Sequence, residues 1–187
     1  MSEDDARRWD RKWAEMDKAR PPSGLLLTHQ DLLQGGSAVD VACGLGQNTL
    51  WLAERDYRAV GLDISEVALQ EAMNKARAAS LAHTTAFVRC DLNIWLLAEE
   101  SVEVLCVFRF LNRDLFPHMV RTLKPGGLLF YETRHRGILN RRPDSNPDYL
   151  LDEGELARAF SGLEQLHYEE GQENARLVAS RPAARNA

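Results

Sequence analysis

A chain of 187 residues with 44% apolar side chains suits one domain with a full core. Its 28 acidic and 23 basic residues leave a net charge of −5, the wrong sign for a protein that tracks long nucleic acids. No run of 18 apolar residues occurs and the amino-terminal MSEDDARRWDRKW is charged, so neither a membrane span nor a secretion signal is expected. The cysteines, Cys43, Cys90 and Cys106, lie far apart with no C-x-x-C pair and no Cys/His cluster. That pattern fits reduced core residues of a cytoplasmic protein, with no metal site and no disulfide framework.

Along the chain, Ala6, Trp9, Trp13 and Met16 recur at three- or four-residue steps among charges, which predicts a helix over 3–19. RPPSG at 20–24 ends it. Apolar runs then predict strands at 38–42, 57–62, 85–89, 102–108 and 127–132, with helices at 48–55, 66–78 and 113–123. Ser65 is placed to cap the second of these helices, with Glu66 in its first turn. Strand and helix alternating through short connections imply a doubly wound, mostly parallel α/β sheet. The tail differs: after a helix near 152–160, LEQLHYEE and ARLVASR flank a polar turn at 171–174. Such a hairpin predicts an antiparallel edge.

The stretch AVDVACGLGQNT at 38–49 holds two glycines just past the first strand, where an open parallel sheet binds ligands. Gly44 and Gly46 let the backbone approach a ligand closely. Thr49 stands where a dinucleotide fingerprint wants its third glycine. Asp40 lies inside the first strand, Asp63 ends the second and Asp91 follows the third. Acids near three successive strand ends suit a nucleoside with a cationic tail and repel a pyrophosphate.

VDVACGLGQNT, GLDIS, CDL and LKPGGLLFYET together resemble, in order, the motifs of the class I S-adenosylmethionine-dependent methyltransferases, over residues 36–133. Within that superfamily, RRWDRKW and YLLDEGELARAFSGLEQLHYEEGQ most resemble the tellurite-resistance type, although only a short QEN turn precedes the last strand. The resemblance implies a seven-stranded Rossmann-like sheet with an antiparallel last strand. It implies a single domain over 1–187, with 1–24 a helical cap and 36–133 the cofactor-binding core. It also implies S-adenosyl-L-methionine as cofactor, held by Asp40, Ala42, Gly44, Gly46 and Asn48 at the turn. Asp63 would hold the ribose with Ile64 against the adenine, Asp91 and Leu92 would bind the base, and Phe108 would stand near the methyl group.

Acceptor chemistry is expected at the ends of the fourth and fifth strands. Arg109, read as a buried arginine, suits an anion or carboxylate. TRHRGILNRR at 133–142 is the densest basic run, with His135 the one histidine considered for proton transfer and Arg134 and Arg136 considered for substrate. Trp9 and Trp13 stand on the amino-terminal helix, over the substrate or cofactor. The reading is methyl transfer to a small-molecule acceptor, anionic or thiol, by a monomer or homodimer. The alternatives are an RNA methyltransferase, a nicotinamide-dependent oxidoreductase and a non-catalytic cofactor-binding module.

Overall fold

The amino-terminal helix forms because three acids, Glu3, Asp4 and Asp5, occupy its first turn and a lysine its last, complementing the helix dipole. In the computed structural model, which describes residues 3–16 and 20–183, this helix is α1 (Glu3–Glu15). The predicted extension over 17–19 lies outside the described residues. The chain divides into two compact units after Leu96.

The first unit continues with α2 (Gly24–Thr28), β1 (Gly36–Val41), α3 (Gln47–Ala53), β2 (Tyr57–Asp63), α4 (Glu66–Ala78) and β3 (Thr85–Arg89). β1 pairs with β2 and β2 with β3, both parallel, so Asp40, Gly61 and Phe87 share one row. At Gly61 a Cβ would stand 2.7 Å from Cys43 Sγ, 2.8 Å from the Phe87 ring and 3.0 Å from Thr49 Oγ1. The glycine therefore lets three elements close over β2. α4 starts where the sequence predicts: Ser65 Oγ accepts from the Ala68 amide at 3.2 Å. Its Ala68, Leu69, Ala72 and Ala76 are buried at helical spacing.

The second unit contains β4 (Val102–Phe108), α5 (Phe116–Thr122), β5 (Leu123–Arg134), α6 (Glu155–Ala159), β6 (Glu164–Glu170) and β7 (Asn174–Ser180). β4 and β5 are parallel, whereas β7 runs antiparallel to both β5 and β6. The strand order is β3-β2-β1-β4-β5-β7-β6, a seven-stranded mixed sheet. β5 starts four residues earlier than predicted. LKPGG reads as a breaker, yet it continues the strand with a register shift against β4 at Val102/Val104. Phe116, Tyr131 and Phe160 form an aromatic cluster with ring centroids 5.1–5.9 Å apart. Beside it, Arg113 grips both oxygens of Glu155 at 2.6 and 2.9 Å and the Leu150 carbonyl at 2.9 Å.

Candidate cofactor site

The glycine turn belongs to the first unit, and its conformation is unusual at three points. Ala42, Gly44 and Gly46 all have positive φ, at 57°, 53° and 73°. Glycine accepts this region freely, whereas an alanine held there costs about 1–2 kcal/mol. The turn is held by side chains from two strands. Asp63, at the end of β2, accepts from the Gly44 amide at 2.8 Å and from the Ser65 amide at 2.9 Å. Asp40, 1% exposed, accepts from the Thr49 hydroxyl at 3.0 Å, which ties β1 to α3.

Burial raises both carboxyls above the ordinary carboxylate range. Burial pushes the Asp40 carboxyl up to about 7, with the nearby Asp63 adding to the rise and the Thr49 hydroxyl opposing it. Asp63 is also raised by burial, while the amides of Ser65 and Gly44 oppose the shift. Asp40 Oδ1 is buried with no hydrogen-bond partner among the described residues. Cys43 is buried in the turn, and burial pushes its thiol well above the ordinary range, which disfavours a thiolate nucleophile there.

The residues present fit a cationic nucleoside cofactor. Asp40 Oδ1 stands orphaned in β1 beside the turn, and the Asp63 oxygens each retain a lone pair beyond their amide bonds.

The other expected members of the set are placed as follows. Gly46 faces inward, where a Cβ would stand 2.8 Å from both Ala72 and the Phe87 ring. Asn48, expected beside the cofactor, turns its Oδ1 to the Ser23 amide at 2.8 Å and so ties α3 to the segment before α2. Ile64 and Leu92 are buried. Asp91 is half-buried and accepts from the Asn93 amide at 2.8 Å. The two tryptophans of α1 stack with centroids 6.4 Å apart, and Lys12 Nζ lies 4.1 Å from the Trp9 ring centroid. Trp13 rests on Gly44, where a Cβ would meet its ring at 2.6 Å. A residue that the sequence reading missed, Asp10, accepts from the Ser65 hydroxyl at 2.6 Å and the Val67 amide at 3.2 Å. No motif marks it.

In the second unit, Phe108 is half-buried at the end of β4. Arg109, expected to be buried, is exposed: its backbone turns left-handed at φ 59°, with its amide donating to the Glu132 carbonyl at 2.8 Å, and the bend carries the residue out of the core. His135 is held at both ring nitrogens. The Gly137 amide donates to Nδ1 at 3.1 Å, which puts the ring proton on Nε2, facing the Gly171 carbonyl at 2.7 Å. That arrangement leaves neither nitrogen for the proton transfer considered from sequence. In the basic run, Arg136 pairs with Asp152 and Arg141 with Glu173. Neither Arg109 nor Arg134 has an acid partner among the described residues.

A mixed seven-stranded sheet of this order, with a glycine turn after β1 and acids in β1 and at the end of β2, defines the class I methyltransferase fold. The chain shares this fold with the class I S-adenosylmethionine-dependent methyltransferases. Residues 38–127 match the family model described as a methyltransferase domain. A probable thiol methyltransferase of Arabidopsis thaliana is 30% identical over 69% of this chain and 62% of its own length. A trans-aconitate 2-methyltransferase of Sinorhizobium fredii is 32% identical over 79% of this chain and 56% of its own. Among solved structures, TehB from Haemophilus influenzae superposes with a TM-score of 0.75 at 16% identity, covering 92% of this chain and 67% of that one. The chain spans about three fifths of the length of the curated relatives it matches. No helix among the described residues is long and apolar enough to cross a membrane.

Proposed function

We propose that this chain transfers the methyl group of S-adenosyl-L-methionine to a small acceptor, an anion or a thiol, in the cytoplasm. The observation that carries the acceptor class is that Arg109 and Arg134, at the carboxyl ends of two parallel strands, have no acid partner among the described residues. Among the other described arginines of the second unit, Arg113, Arg121, Arg136, Arg141, Arg176 and Arg181 are neutralised by acids, whereas Arg142 in the loop after β5 and Arg158 on α6 lie away from the strand ends. Two relatives carry names that fit the same class, one a thiol and one a tricarboxylate methyltransferase. In-line displacement at a sulfonium carbon asks the protein chiefly to position and desolvate the reactants. A thiolate or oxyanion needs no strong base, and His135 is tied to backbone at both nitrogens.

The experiment is turnover of methyl-labelled cofactor against a panel of thiols, tricarboxylates, oxyanions including tellurite, and RNA. Label appearing only in RNA, with a steep salt dependence, would replace the small-molecule reading. Tight binding of a nicotinamide dinucleotide with no S-adenosyl ligand bound would remove the methyltransferase reading altogether.

A further inference from the structure

The segment 135–154 leaves the carboxyl end of β5 and returns at α6 with two short 3-10 turns along it, Arg136–Asn140 and Pro147–Tyr149. Connections this long inside a compact unit are uncommon and usually functional. Its return is clamped by one side chain, Arg113, from the turn after β4. Nε donates to Glu155 Oε1 at 2.6 Å, and Nη2 donates to Glu155 Oε2 and to the Leu150 carbonyl, each at 2.9 Å. Nη1 donates to the Asp148 carbonyl at 3.3 Å. Four of the five guanidinium donors are thereby committed.

Through backbone, this clamp reaches both arginines assigned to the acceptor. Next to Leu150, the Leu151 amide donates to the Arg134 carbonyl at 3.0 Å, and the Leu151 carbonyl accepts from the Arg136 amide at 2.9 Å. Leu150 and Leu151 are both buried, so this strip is a fixed point of the fold. On the other side, Arg113 closes the turn that starts at Arg109. The middle of that turn is held by the buried Tyr131, whose hydroxyl donates to the Phe110 carbonyl at 3.0 Å. With no acid partner among the described residues, Arg109 and Arg134 are placed by the backbones that carry them.

We propose that Arg113 is a positioning residue for the acceptor: by joining the turn after β4 to the segment after β5, it holds Arg109 and Arg134 at the spacing an anionic acceptor spans. This rests on the reading of those two arginines as the acceptor's cations. Arg113 acts through them, because its own donors are nearly all spent inside the fold. Lysine cannot reproduce the role, since a single ammonium lacks the planar fork that grips both Glu155 oxygens and still reaches Leu150.

The test is calorimetric titration of citrate and, separately, inorganic phosphate into the full chain held in saturating S-adenosyl-L-homocysteine. The proteins are the parent, Arg109→Ala, Arg134→Ala, Arg113→Lys and Glu155→Gln, with folding checked by circular dichroism. The two alanine variants should each weaken anion binding about tenfold, the scale of one charge-assisted contact. Arg113→Lys should weaken it by a comparable factor, with S-adenosyl-L-homocysteine affinity kept within about twofold, as for a separate site. Glu155→Gln retains one oxygen for the guanidinium and should fall between the parent and Arg113→Lys. Should Arg113→Lys misfold, Glu155→Gln carries the test, with weaker anion binding at unchanged cofactor affinity as the expected result. An ion pair that only supports the fold would lower the urea midpoint of Arg113→Lys and leave anion affinity unmoved, which would overturn the positioning role alone. If the parent takes neither anion, or Arg109→Ala and Arg134→Ala bind as well as the parent, the acceptor reading fails and the positioning role falls with it.

Discussion

The carboxylate of Asp63 accepts from the amide of Gly44, nineteen residues earlier in the chain, at 2.8 Å. Through its other oxygen it accepts from Ser65 at 2.9 Å. One side chain thus holds the glycine turn and the entry to α4 in register. The family resemblance makes Asp63 a ribose acceptor, with little expected of it in the fold. With both amides bound to it, Asp63→Ala should lower stability as well as cofactor affinity. Buried hydrogen bonds to a charged group are worth about 1.5–3 kcal/mol, and that much should disappear from urea unfolding. Calorimetry with S-adenosyl-L-homocysteine should show a parallel loss of affinity. Unchanged unfolding with lost binding would return Asp63 to a purely ligand-facing role.

Asp40 makes stability depend on pH, and the sign follows from its burial. Its folded value, about 7, lies above the ordinary 3.8, so the folded protein keeps a proton that the unfolded chain gives up. The contribution is fully present below the ordinary value and is lost as pH rises through about 7. Within that window each unit removes up to about 1.4 kcal/mol. Asp40→Asn, neutral at every pH, should flatten the slope between pH 5 and 8. Urea titrations at the two pH values measure it, and identical slopes in both proteins would mean that Asp40 stays ionised.

Ala42 occupies the left-handed region at φ 57°. Ala42→Gly removes that strain but raises the entropy of the unfolded chain, a net gain of up to about 1 kcal/mol. Thermal unfolding should therefore rise by a few degrees, about what such a change produces in a chain this long. A drop in melting temperature would show that the methyl group packs more than it strains.

The acceptor arginines can be separated by their partners. Arg109→Ala and Arg134→Ala should each lower kcat/KM about tenfold or more with an anionic acceptor, and leave cofactor affinity unchanged. Arg136→Ala is the control, because Arg136 is exposed and pairs with Asp152. Its activity should stay within about twofold, as for most surface ion pairs. Equal effects from all three would make the basic run a generic charged surface.

Legibility in the sequence followed the range of the forces. Ser65, Glu66 and the buried alanines of α4 act within a turn or two, and the helix is predicted at 66–78 with the observed bounds. The antiparallel tail was readable too, since a three-residue QEN turn leaves the flanking strands no other way to pair. What stayed hidden acts across distance. Asp10 meets Ser65 from 55 residues away and Asn48 meets Ser23 from 25, and neither contact leaves a periodic trace. Arg109 misled for a different reason. It continues an apolar strand in sequence, and only the left-handed bend after Phe108 carries it into solvent. His135 shows its commitment only once the Gly137 amide and the Gly171 carbonyl are in place.

Gly61 has a consequence for how this site can change over time. Cys43, Thr49 and Phe87 fill the volume that a side chain at 61 would need, each from a different segment. Even one methyl group there requires at least one of the three neighbours to shrink or shift. Drift at these four positions should therefore be concerted, with any non-glycine residue at 61 accompanied by smaller partners at 43, 49 or 87. The shape of the cofactor turn is inherited as a packed quartet spread over 45 residues, rather than as a loop motif that could be transplanted alone.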